Sequence, residues 1–133
     1  MNTIITQVTN ISKLENLNIL ECKTENDTIT LLSLELPEQI KISTKLKIAM
    51  KPTNIIIAKN FTNICSCENI LKAKIKDIDN GKLLSSITIE YCNKILESII
   101  TLNAAKKLSL KIDDNINLLI KASDIYIKEI LDD

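Results

Sequence analysis

Asn69-Ile70-Leu71-Lys72-Ala73-Lys74-Ile75-Lys76-Asp77-Ile78 and Asn2-Thr3-Ile4-Ile5-Thr6-Gln7-Val8-Thr9-Asn10-Ile11 are one pattern written twice, at an offset of 67 (69 − 2). Both open on Asn and alternate into a strand with one buried face. Outward from this pair, Leu32-Ser33-Leu34 matches Ile100-Thr101-Leu102 at an offset of 68 (100 − 32). The closing segments, Lys51-Pro52-Thr53-Asn54-Ile55 and Lys121-Ala122-Ser123-Asp124-Ile125, match at an offset of 70 (121 − 51). Three matches in the same order make a tandem repeat, and the drift in offset places short insertions in loops.

Each copy reads as five short strands with a helical turn before the fourth. The first copy has strands at Thr3–Ile11, Asn16–Lys23, Thr28–Leu34, Lys45–Lys51 and Asn54–Ala58, with a turn around Pro37–Ile40. The second has Leu71–Ile78, Leu84–Tyr91, Ile95–Leu102, Asn115–Lys121 and Asp124–Lys128, with a helical turn from Asn103 to Leu108 capped by Asn103. Asn80-Gly81 predicts a tight hairpin at positive φ. The expected fold class is therefore all-β: two tandem OB-like five-stranded small barrels. Their expected bounds are 1–60 and 66–133, joined by a linker at 61–65 within the polar stretch 59–68.

Composition narrows the function classes. Lys plus Arg number 17 and Asp plus Glu 17, so the basic excess of a nucleic-acid binder is missing. Aromatic residues make up only 2%, which leaves an aliphatic core and little surface for base stacking. No apolar run reaches the length of a membrane span, and the start of the chain lacks the features of a signal peptide, so the expected location is the cytoplasm. With no His, phosphate loop, Rossmann glycine pattern or nucleophile elbow, no enzyme is expected. Cys65-x-Cys67 approaches a metal-ligand spacing, but Cys22 and Cys92 stand alone, so reduced thiols and no metal site are expected.

Ser66-Cys67-Glu68-Asn69-Ile70 resembles the Ser-Ala-Arg-Asn-apolar opening of the molbindin, or TOBE, modules. Leu108-Ser109-Leu110-Lys111-Ile112 resembles the family's step before its fourth strand, and Lys121-Ala122-Ser123-Asp124-Ile125 resembles its ending. The match covers residues 66–128, with 2–59 as a first copy, so the whole chain is similar to a di-molbindin. The resemblance implies intracellular binding of molybdate or tungstate, for storage, buffering or sensing, at intermodule or intersubunit sites of a homo-oligomer, a trimer rather than a dimer. It implies an oxyanion set of Ser66, Cys67 and Glu68; Thr101, with Ser33 in the first copy; and Lys121 and Ala122, with Lys51 in the first copy. No membrane and no direct nucleic-acid partner is expected. A tetrahedral dianion suits such a set, because it wants converging N–H donors and one compact cation. Glu68 stands where the family has Arg, and Ala73, Ser109 and Asp113 or Asp114 stand where it has glycines. The residues by themselves leave three classes open: a free-standing oxyanion binder, a sensor acting through a partner, and an OB-like interaction module without an anion.

Overall fold

The computed structural model describes residues 2–131. The first copy supplies β1 (Asn2–Leu14), β2 (Leu17–Lys23), β3 (Thr28–Ser33), β4 (Lys45–Met50) and β5 (Ile56–Ala58). The second supplies β6 (Asn69–Asn80), β7 (Leu84–Tyr91), β8 (Lys94–Thr101), α1 (Leu102–Leu108), β9 (Asn115–Ile120) and β10 (Ile125–Leu131). Period-two burial is clearest in β7, where Ser85, Ile87, Ile89 and Tyr91 point inward and their neighbours do not. A β-bulge falls between Val8 and Asn10 in β1 and between Ile75 and Asp77 in β6, the same place in both copies.

The strand order is β10-β4-β1-β2-β3 in one sheet and β5-β9-β6-β7-β8 in the other. Each copy therefore gives its closing strand to the sheet of its twin. The sequence assigned Asn54–Ala58 to the first barrel and Asp124–Lys128 to the second; the structure reverses both. Ile57 pairs with Leu118, and Ile127 pairs with Ile48. The reason is in the residues: β4 and β9 bury the same pattern (Leu46, Ile48, Met50 and Ile116, Leu118, Ile120), and Ile57 and Ile127 suit either edge. The exchange merges the two halves into one aliphatic core containing Leu20, Ile29, Leu31 and Ile48 together with Ile75, Ile87, Ile89 and Leu118. Each such side chain contributes about 1.5–3 kcal/mol by leaving water.

The ladders also locate the insertion. Val8 pairs with Cys22 and Ile75 with Ile89, an offset of 67 in both strands (75 − 8; 89 − 22). Thr6 pairs with Leu46 and Ala73 with Ile116, so by β4 the offset has become 70 (116 − 46). Three extra residues thus lie between β8 and β9, where α1 stands. The first copy has no helix there; it runs from β3 to β4 through two hydrogen-bonded turns, Ile40 N–H to Pro37 C=O and Thr44 N–H to Lys41 C=O, both at 3.1 Å.

Two local expectations are corrected. The cap of α1 is Thr101, whose Oγ1 accepts from Ala104 N–H at 3.1 Å, rather than Asn103, which lies inside the helix. Gly81 does not take positive φ; its N–H bonds Leu84 C=O at 2.8 Å, and a Cβ there would meet that oxygen at 3.0 Å. The tight left-handed turn is instead Cys92-Asn93, at φ 49° and 62°. Ser109 (φ 50°) and Asp113 (φ 73°) adopt the left-handed conformation, which glycine takes most easily.

Candidate functional site

The site is organised by a buried asparagine. Asn69, 1% exposed, opens β6 opposite Ile120 of β9. Its Oδ1 accepts from Thr30 N–H at 2.7 Å, and its Nδ2 donates to Thr30 C=O at 2.8 Å and to Ile120 C=O at 2.9 Å. One amide thus spends both donors and an acceptor tying three segments together. The segment before it is Ser66-Cys67-Glu68, the segment after Ile120 is Lys121-Ala122, and the strand it grips in the other copy is β3, which ends at Ser33. The 3₁₀ turn Ala122–Asp124 packs against β3.

Within this end, the chain bends at Cys65–Ser66, and Ser66 and Glu68 are exposed. The Cys67 Sγ donates to Asn69 C=O at 3.5 Å. Burial pushes the Cys67 thiol pKa up, against backbone hydrogen bonds from Asn69 and Ile120 that pull it down. Lys121 is exposed in extended conformation (φ −63°, ψ 142°) and joins no ion pair among the described residues. Ser33 donates its hydroxyl to Glu35 C=O at 2.9 Å. Glu35, Pro37 and Tyr126 line a groove beside it.

The opposite end repeats the plan. Asn2 pairs with Met50, its Oδ1 accepts from Glu97 N–H at 2.8 Å, and its Nδ2 donates to Glu97 C=O at 2.7 Å. Lys51 follows Met50, and the 3₁₀ turn Pro52–Asn54 packs on β8, which ends at Thr101. The buried Ser98 hydroxyl donates to Ile55 C=O at 2.8 Å and fixes that contact. Because Thr101 Oγ1 acts as an acceptor in the α1 cap, its own proton stays available to a ligand.

The fold therefore regroups the residues singled out in the sequence. Ser66, Cys67, Glu68, Lys121 and Ala122 come together with the strand carrying Ser33. Thr101 joins Lys51 at the other end, with Thr53 and Thr101 on the same cavity wall. Ser33 and Thr101 are also one step out of register: Ser33 pairs with Asn18, whose counterpart Ser85 pairs with Ile100. Asn2 and Asn69, whose side chains tie the copies together at these ends, are residues that sequence reasoning passed over. Their signal was present, since both copies open on Asn, but it served only to align the repeat. Among the described residues, no cluster of three or more His, Cys, Asp or Glu is placed to hold a metal. What this end can do is present backbone N–H groups, the exposed Ser66 hydroxyl and one ammonium to an anion, with the Glu68 carboxylate at the margin.

The model of the TOBE domain family matches residues 66–127. The cytoplasmic molybdate-binding protein ModG, solved with molybdate bound, superposes with a TM-score of 0.88 at 19% identity, over 95% of this chain and 94% of that one. A molybdate-binding protein from Sporomusa ovata is 29% identical over 51% of this chain and 97% of its own, with a TM-score of 0.45. No curated protein matches. The likeness to ModG shows that the tandem, strand-rich architecture is a known fold.

Proposed function

We propose, from the premise that residues 66–127 match the TOBE domain family, that the chain binds molybdate or tungstate inside the cell. The anion would be held between modules or subunits, for storage, buffering or sensing. The observation that supports this reading is the Asn69 clamp, whose three hydrogen bonds tie the residue that follows Ser66–Glu68 to Thr30 of β3 and to Ile120, the neighbour of Lys121. These groups match the needs of a tetrahedral dianion: N–H donors fixed by the fold, a hydroxyl, and an ammonium that needs no bidentate geometry. The metal arrives wrapped in oxygen, so no side chain has to ligate it. Size then separates molybdate from sulfate, since both carry two charges and Coulomb attraction alone cannot sort them. The tandem fold shared with a molybdate-binding protein supports the same reading.

Assembly belongs to this proposal. Exposed apolar side chains recur at equivalent places in the two copies: Leu17 and Leu84, Ile42 and Ile112, Ile56 and Tyr126. Such repeated apolar positions suit a closed homo-oligomer, in which a neighbouring copy completes the site from outside. A trimer is the form proposed.

Equilibrium dialysis with elemental analysis of bound molybdenum or tungsten tests the binding. Retention of both metals in excess sulfate supports it. Displacement by equimolar sulfate, or no retention, leaves the chain an OB-like interaction module.

A further inference from the structure

Two features lie outside the anion chemistry, and a third borders it. The groove lined by Phe61, Lys72, Lys74, Glu90, Asn115 and Asn117 offers lysines, amides and a carboxylate, none of them buried. The Tyr91 hydroxyl, held by Asp27 Oδ2 at 2.7 Å and Thr24 Oγ1 at 2.8 Å, is a satisfied structural tie between the copies. The third feature is the thiol pair beside the site. We propose that Cys65 and Cys67 close a reversible intramolecular disulfide that disassembles the oxyanion site. The consequence rests on the oxyanion reading; the thiol chemistry does not.

The geometry favours this pair over any other in the chain. Cys22 is fully buried, and Cys92 lies at the far hairpin, where its Sγ accepts from Asn26 Nδ2 at 3.2 Å. Cys65 is exposed and Cys67 half-buried, so a small oxidant reaches the first freely. Two residues of extended chain span about 7 Å, just beyond the Cα separation of about 4.4–6.8 Å that a disulfide accepts. The bend at Cys65–Ser66 shortens that span. The Sγ of Cys65 already lies 3.6 Å from the Cys67 carbonyl oxygen. A ring this small is strained, and strained disulfides are the readily reduced ones that serve as switches.

The step balances with a small-molecule disulfide such as oxidised glutathione as oxidant. The Cys65 thiolate attacks one of its sulfurs, forming a mixed disulfide and releasing one glutathione thiolate. The Cys67 thiolate then displaces the second, closing the Cys65–Cys67 bond. Two electrons pass from the protein thiols, and both protons end on the released glutathione. Closure pulls the Cys67 Sγ from the Asn69 carbonyl and rotates the Ser66 and Cys67 peptides. The N–H groups proposed to hold the anion turn with them, so the anion loses its donors while the β6–β9 ladder below stays paired.

The test equilibrates the full chain in glutathione buffers of decreasing reduced fraction. Peptide mapping reads the link, and calorimetry reads molybdate affinity. The expected result is a Cys65–Cys67 link with Cys22 and Cys92 free, and binding weakened about tenfold or more as donor hydrogen bonds are lost. Dithiothreitol should restore it. Cys65→Ser, which alters no residue of the proposed site, should bind equally in all buffers. Stable mixed disulfides without ring closure, or equal affinity of reduced and linked protein, overturn the proposal. A reduced protein that binds no molybdate refutes the oxyanion reading and the gating with it, while the mapped link still decides whether the thiol site exists.

Discussion

Replacing Asn69 with Ala removes the side chain that joins the two copies at the site. Three hydrogen bonds of 2.7, 2.8 and 2.9 Å disappear. They strand the N–H and C=O of Thr30, 6% exposed, and the C=O of Ile120, 0% exposed. A buried polar group left without a partner costs about 1–3 kcal/mol. Water can reach the Thr30 edge of the sheet more easily than Ile120, so the three together should cost about 3–5 kcal/mol, a large share of a stability of about 5–15 kcal/mol. Urea unfolding followed by far-UV circular dichroism measures this. With a slope of about 1–3 kcal/mol/M, the midpoint should fall by about 2 M. Asn2→Ala, which loses only two bonds to the half-buried Glu97, should cost less. The shared core calls for a single transition in every variant. A loss below about 1 kcal/mol for Asn69→Ala would refute the clamp as the organiser of the site.

The remaining predictions concern affinity, assembly and pH. Lys121→Ala should weaken molybdate binding about ten- to a hundredfold, from one lost charge-assisted contact, and leave folding unchanged. Glu68→Gln should tighten it, and titration calorimetry of the pair gives both signs. Light scattering should give a homo-oligomer, a trimer, whereas a 14.9 kDa particle with and without molybdate speaks against closed assembly. Burial pushes the Cys22 thiol from 9.0 up to about 11 and raises Tyr91 well above its ordinary value. A raised native pKa means stability that is whole below the unfolded value and lost as pH rises through the native one. The urea midpoint should therefore hold to about pH 9 and decline through pH 11. A flat profile across that range contradicts it.

The repeat, the strand count and the OB-like character were legible because period-two alternation and Asn openings are local signals. The partnership of the closing strands was not. Ile55-Ile56-Ile57 and Ile125-Tyr126-Ile127 present the same faces to β4 and β9, so sequence cannot say which sheet each joins. That ambiguity carried into the site: Lys121 and Thr101 share a copy in sequence, yet the fold sets Lys121 with β3 and Lys51 with β8. The α1 cap was misplaced by two residues because Thr101 and Asn103 are both good caps, and only the backbone shows which is extended. The hairpin at Asn80-Gly81 was found for an imperfect reason, since the glycine there answers to the nearby Leu84 carbonyl and not to a left-handed turn.

The central claim is that an oxyanion sits where Asn69 gathers the Ser66–Glu68 amides, the Lys121–Ala122 corner and the end of β3. Anomalous diffraction at the molybdenum edge, from crystals grown with molybdate, tests it most directly. The account predicts a peak within hydrogen-bond reach of the Ser66–Glu68 backbone and Lys121 Nζ, and none in crystals grown with sulfate alone. A peak elsewhere on the molecule, or none in molybdate, would contradict it.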